Sequence, residues 1–160
     1  MNILLAAILA LATVTLANFD LYVGSQSHFL EPVVFTVWQI FEAEPDCRQV
    51  WDTVYYEDSE DVSGTKAGVR CEGDGCLGGA DPVAITTLEM NFHGEDPIYH
   101  WTIYKDRNYD MIGLDGKVYG NCILFPGDDY ECIDPVIGAY SGGRKFRCLT
   151  EFTAAQINDA

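Results

Sequence analysis

The chain predicts a mainly β fold, a single antiparallel barrel or sandwich stapled by disulfides. Apolar residues recur with period two, helical signals are few, and six cysteines follow an N-terminal stretch of secretory type. The run from Val33 to Phe41 is rich in β-branched and aromatic residues and apolar on both sides, as a central or partner-covered strand would be. Leu88, Met90 and Phe92 alternate with Glu89, Asn91 and His93, and Ile98 to Lys105 repeats the pattern. With the turn residues Gly94-Glu95-Asp96-Pro97 between them, these two runs predict an antiparallel hairpin. A second hairpin is predicted where Met111 to Leu114 and Lys117 to Gly120 flank Asp115-Gly116. Shorter strand candidates are Phe19 to Val23, Val50 to Tyr56, Ala67 to Cys71 and Lys145 to Phe152. Thr153-Ala154-Ala155-Gln156 has the form of a capping box, which predicts a short C-terminal helix fraying past Ile157.

Residues 1–17 read as a secretory signal peptide. Ile3 to Ala12 carries neither charge nor helix breaker, and falls short of the roughly 20 residues that span a bilayer. Thr15-Leu16-Ala17 then supplies the small residue expected at a cleavage site. Residues 18–160 are left as a single disulfide-stabilised β domain, long enough for one hydrophobic core. Secretion places Cys47, Cys71, Cys76, Cys122, Cys132 and Cys148 in an oxidising compartment, where an even count reads as three disulfides. Cys122 with Cys132 is the expected local bridge, because it would close the turn-rich Pro126-Gly127-Asp128-Asp129 segment. Cys71 can reach Cys76 only if Gly73-Asp74-Gly75 turns tightly.

Acidic residues outnumber basic ones 25 to 9, a formal charge of −16 that repels phosphate backbones and anionic lipid. Neither nucleic acid nor membrane insertion is expected. The local exception, Arg144-Lys145-Phe146-Arg147, reads as a strand whose basic side chains face carboxylates on a neighbour.

No catalytic residue is assigned, because Gly-x-Ser-x-Gly, His-Glu-x-x-His and phosphate-cradling glycine loops are missing. No metal or cofactor is expected either: there is no Cys-x-x-Cys. Asp106-x-Asn108-x-Asp110 fails as an EF-hand at Met111 and Lys117. Asp128, Asp129, Glu131 and Asp134 read as solvated loop carboxylates, with a calcium site outside the EF-hand pattern as the alternative. A ribonuclease-like hydrolase would need His93 or His100 beside a Glu and an Arg from the 144–147 string, and a carbohydrate-active one a carboxylate pair such as Glu89 with Glu95 or Asp96. Trp38 and Trp101 are assigned to the core, and Trp51, Tyr55 and Tyr56 to a candidate binding surface, which keeps a lectin-like glycan binder open. Val33, Phe35, Val37 and Ile40 form the candidate interface of a homodimer, since a strand apolar on both faces needs a cover.

Several strings carry a resemblance: Asn18-Phe19-Asp20-Leu21-Tyr22, Asp61 to Cys71, Leu88-Glu89-Met90-Asn91-Phe92, His100 to Arg107 and Lys145-Phe146-Arg147-Cys148. Together with the leader, this layout resembles the small cysteine-rich secreted proteins of filamentous fungi. That resemblance implies an extracellular, effector- or elicitor-like role without catalysis, directed at an unidentified protein or glycan.

Overall fold

The computed structural model describes residues 17–28, 31–136 and 138–159. All of the expected leader except Ala17 lies outside them. The elements are β1 (Ala17–His28), β2 (Glu31–Phe41), α1 (Cys47–Asp52), β3 (Tyr56–Glu57), β4 (Gly68–Gly73), β5 (Ile85–Asn91), β6 (His100–Tyr104), β7 (Asp110–Gly113), β8 (Val118–Leu124), β9 (Tyr130–Asp134), β10 (Gly138–Thr150) and α2 (Ala154–Asp159). The strands form one antiparallel sheet in the order β3-β2-β1-β10-β8-β7-β6-β5-β4, with β9 added to β10. Its two ends meet where Asp58 bridges Val69 and the Ser59 amide donates to the Val69 carbonyl at 2.9 Å, so the sheet curls into a nearly closed barrel.

Alternation fills that barrel. Phe19, Leu21 and Val23 of β1, Trp38 and Ile40 of β2, Leu88 and Met90 of β5, and Trp101 and Ile103 of β6 all bury completely in one cluster. Each contributes about 1.5–3 kcal/mol by leaving water. Both predicted hairpins form, β5 with β6 and β7 with β8. One end of the barrel is plugged by Phe152, Ala154 and Ile157. Thr153 and Gln156 cap α2 reciprocally, backbone amide to side-chain oxygen at 3.0 and 2.9 Å, as the capping box predicts. The helix runs on to Asp159 instead of fraying past Ile157, with the Asn158 side chain donating to the Ile40 carbonyl at 3.2 Å.

β10 changes partner along its length. Phe146–Thr150 pair with β8 in the barrel wall, whereas Gly138–Gly142 pair with β9. A bulge in the β1/β10 register, between Leu21 and Tyr22, falls at this transition and leaves Lys145 as the extra residue. Beyond it, β2, β1, β10 and β9 run on past the barrel as a four-stranded extension. The extension's outer face carries a second cluster of Tyr22, Phe41, Val50, Tyr130, Cys132 and Tyr140, with Trp51 packed against it.

The segment expected to be a strand from Val50 is instead mostly α1. Asp46 caps it by accepting from the Gln49 amide, and the Gln49 side chain accepts from the Asp46 amide, so local hydrogen bonding starts a helix there. α1 and the residues after it lie over the outer face of β2, with the Gln39 side chain donating to the Val50 and Thr53 carbonyls at 3.1 and 3.2 Å. From Val37 to Phe41 the β2 run is thus covered on both faces within one chain. Of the candidate interface residues, Val37 and Ile40 are 2% and 0% exposed and pack inside the chain; Phe35 stays half exposed, and the Val33 side chain lies outside the described ones.

The disulfides are Cys47–Cys132, Cys71–Cys76 and Cys122–Cys148. The expected Cys122–Cys132 bridge does not form. Cys122 lies directly opposite Cys148 in the barrel wall, whereas Cys132 belongs to the second layer and ties β9 to α1. Gly73-Asp74-Gly75 does turn tightly, through a single 3-10 turn, and so lets Cys71 reach Cys76.

Candidate functional site

The inward face of the extension lies open above the barrel mouth. Register places Thr36 of β2 opposite Ser25 of β1, Ser25 opposite Ser141 of β10, and Ser141 opposite Glu131 of β9. By alternation from the buried Trp38 and Val23, this row continues the barrel's interior face into solvent. Ser25 and Ser141 hydroxyls meet at 3.0 Å. Facing the row is the loop Leu77-Gly78-Gly79, and between them is a cleft of about 560 Å³ that Asp129 and Tyr130 also line. A smaller opening of about 340 Å³ continues past Gly78, Gly79 and Asp129 towards Asp81 and Arg144.

Lys145 holds the loop in place. As the bulge residue it turns its side chain under the loop, 1% exposed, and its ammonium donates to the Leu77 carbonyl at 2.6 Å, to Gly78 at 3.1 Å and to Ala80. Burial pushes the Lys145 amine below its ordinary pKa, against the opposing pull of Asp129 and Asp81. The loop lies so close to β10 that a Cβ on Gly143 would sit 2.3 Å from the Gly78 carbonyl oxygen, so only glycine fits there. Cys71–Cys76 anchors the chain just before the loop.

On the outer face near the bulge, Asp20 is fully buried and is held by both arginines of the basic string. Arg144 Nη1 donates at 2.9 Å, and Arg147 donates through Nε and Nη2 at 2.6 and 2.8 Å. The Arg144 Nη2 also reaches Asp128 at 2.6 Å, and the Phe125 ring lies 4.1 and 4.2 Å from the two guanidinium carbons. The basic string is therefore structural at these two positions, as its strand reading predicts. Lys145, between them, finds backbone carbonyls instead of a carboxylate.

The sequence-predicted surface residues do not come together. Trp51 is half-buried against the Tyr140 ring, with centroids 4.7 Å apart, and Tyr56 is buried in the barrel with its hydroxyl 3.2 Å from Asn158 Oδ1. Burial drives the Tyr56 hydroxyl pKa upward. Tyr55 alone of the three is exposed; with Val34 and Phe35 it lines a separate cleft of about 460 Å³ that shares Thr36 with the mouth.

His100 and Glu89 form a histidine–carboxylate pair on the wall of β5 and β6, Nε2 to Oε1 at 2.9 Å. Arg70 Nε donates to the other Glu89 oxygen at 3.0 Å, and its Nη1 to Glu72. His100 is 2% exposed, and neither it nor Glu89 lines the mouth. Among the described residues no three of His, Cys, Asp and Glu are gathered as metal ligands, and Asp106 and the 128–134 carboxylates stay in loops and on β9.

Fold and site together define a disulfide-stapled, nearly closed antiparallel barrel carrying a second layer and a hydroxyl-lined mouth. Comparison of the chain with family models, curated proteins and solved structures finds no match. The three disulfides are compatible with an extracellular protein, and among the described residues no helix is long and apolar enough to cross a membrane. Asp129 and Glu131 of the mouth were singled out in the sequence, but its glycines, serines and threonine were missed because they carry no chemical signature; the alternation of Ser25 with Val23 and of Thr36 with Trp38 was the signal available.

Proposed function

We propose that the protein is secreted and acts outside the cell as an effector- or elicitor-like binding protein, holding a polar partner in the mouth cleft without turning it over. The observation that carries this reading is the Thr36–Ser25–Ser141–Glu131 row, open to solvent and faced by a loop that buried Lys145 fixes. A polar cleft with no histidine among the described residues that line it suits recognition better than proton transfer. The acidic surface adds to it by repelling anionic partners.

Gly79 offers a direct test, since a side chain built there meets nothing within 4 Å and would project into open space. Retention of the purified protein on insoluble host or microbial wall material should be lost in Gly79→Trp while the fold stays intact. Equal retention by the two proteins would sink the reading.

A hydrolase is the second reading, favoured by the His100–Glu89–Arg70 cluster. It requires turnover of RNA or polysaccharide that His100→Ala abolishes. The exposed Val34, Phe35 and Tyr55 support self-association through this end of β2. Light scattering across a dilution series, with Phe35→Glu as the variant, decides it.

A further inference from the structure

We infer that the mouth cleft is a subsite for a chain of β-linked amino sugars bearing free ammonium groups, an inference that rests on the binding reading above and names its ligand. Adjacent strands are about 4.8 Å apart, so the row offers a hydrogen-bonding group at that interval across some 14 Å of sheet. Three of these groups are side-chain hydroxyls, from Thr36, Ser25 and Ser141, and the fourth is the Glu131 carboxylate. An extended β-linked pyranose chain presents its ring hydroxyls at a comparable interval, so a sugar chain laid across the four strands would meet one partner per residue. The opposite wall suits the other side of such a chain: Leu77 is 67% exposed and supplies an apolar contact for ring C–H groups, and Gly78 and Gly79 let the chain approach closely.

Charge selects among sugars. Asp129 and Glu131 stand together at the β9 end of the cleft, and among the described residues neither is in an ion pair with a basic side chain. The nearest ammonium, that of Lys145, is buried under the loop and directed at backbone carbonyls. A ligand that brings its own ammonium groups would complete these carboxylates, while the net charge of −16 disfavours an acidic polysaccharide. A basic peptide would answer the carboxylates but leave the hydroxyl row unused.

The probes are a glucosamine hexamer, its fully N-acetylated counterpart and hexalysine, titrated calorimetrically into the full mature chain and into Glu131→Gln, an exposed-site variant whose melting temperature checks folding. The glucosamine hexamer should bind saturably, with about tenfold weaker binding to Glu131→Gln and to the acetylated sugar, the scale of one lost charge-assisted contact. Hexalysine should not displace it. Absence of saturable binding overturns the inference, as does equal affinity for the acetylated hexamer or for hexalysine, or indifference to Glu131→Gln. If the hexamer fails while Gly79→Trp still abolishes retention on wall material, the ligand is wrong and the cleft reading stands. If Gly79→Trp has no effect either, both fall.

Discussion

The barrel and the layer beside it are built on different terms. In the barrel, β4 to β8 follow one another as a meander, so most of its wall pairs between sequence neighbours, and its interior is filled by residues two apart on each strand. In the second layer, Tyr22, Phe41, Val50, Tyr130, Cys132 and Tyr140 come from five elements spread over most of the chain, and one disulfide spanning 85 residues ties α1 to β9. The barrel interior is nearly all aliphatic and aromatic carbon. The layer is half tyrosine, and Gln39 threads through it, accepting from the Tyr130 hydroxyl at 2.7 Å. A core made of local pairs can form by itself, whereas a core made of distant ones needs the barrel as its platform and a covalent tie to offset the loop-closure entropy. The cleft sits on the seam between the two, with Ser25 and Thr36 reaching out from barrel strands and Glu131 supplied by β9.

The largest expected effect tests that tie. Cys47→Ser with Cys132→Ser should cost about 4–5 kcal/mol by the chain-entropy argument, against about 2 kcal/mol for removing Cys71–Cys76, which closes a far shorter loop. Hydrogen exchange should show β9 and α1 losing protection while β4 to β8 keep theirs; uniform loss would mean that the barrel depends on the layer. The core residues sharpen the contrast. Trp101→Ala, in the barrel, should cost about 3–5 kcal/mol in chemical denaturation, and the half-buried Trp51→Ala about 1–2 kcal/mol. Similar values for the two would erase the distinction. Asp20→Ala strips two arginines of their shared carboxylate at the junction and should cost about 3 kcal/mol, since Arg147 loses its paired carboxylate and the buried Arg144 keeps only Asp128.

The smallest effect carries the opposite sign. The Tyr22 hydroxyl is buried with no hydrogen-bond partner, so Tyr22→Phe should be neutral or stabilising by about 1 kcal/mol at pH 7. Burial pushes that hydroxyl up to about 12 and raises Tyr130 as well. A tyrosine whose folded pKa stands above its unfolded value favours the native state below about pH 10, and that contribution is lost as pH climbs through the folded value. Denaturation curves between pH 10 and 12 should therefore show a shallower loss of stability in Tyr22→Phe than in the natural chain. Lys145 works the other way: its folded pKa is lowered, so its burial penalty is full at neutral pH and is relieved as the amine deprotonates. A steeper alkaline loss in Tyr22→Phe would contradict the assignment.

The mainly β class, both hairpins, the buried Trp38 and Trp101, the capped C-terminal helix and the oxidation of all six cysteines were legible in the sequence. Each rests on local physics: alternation that buries one face, Asp-Gly turn geometry, or a side chain capping its own helix. Tertiary structure alone decided which cysteines meet, that α1 lies over the outer face of β2, and that Ser25, Thr36, Ser141 and Glu131 share a row. Those outcomes depend on strand order and register, and on the bulge at Lys145 that turns β10 out of the barrel wall. Register is set by the sum of many distant contacts, which no short stretch of the chain encodes.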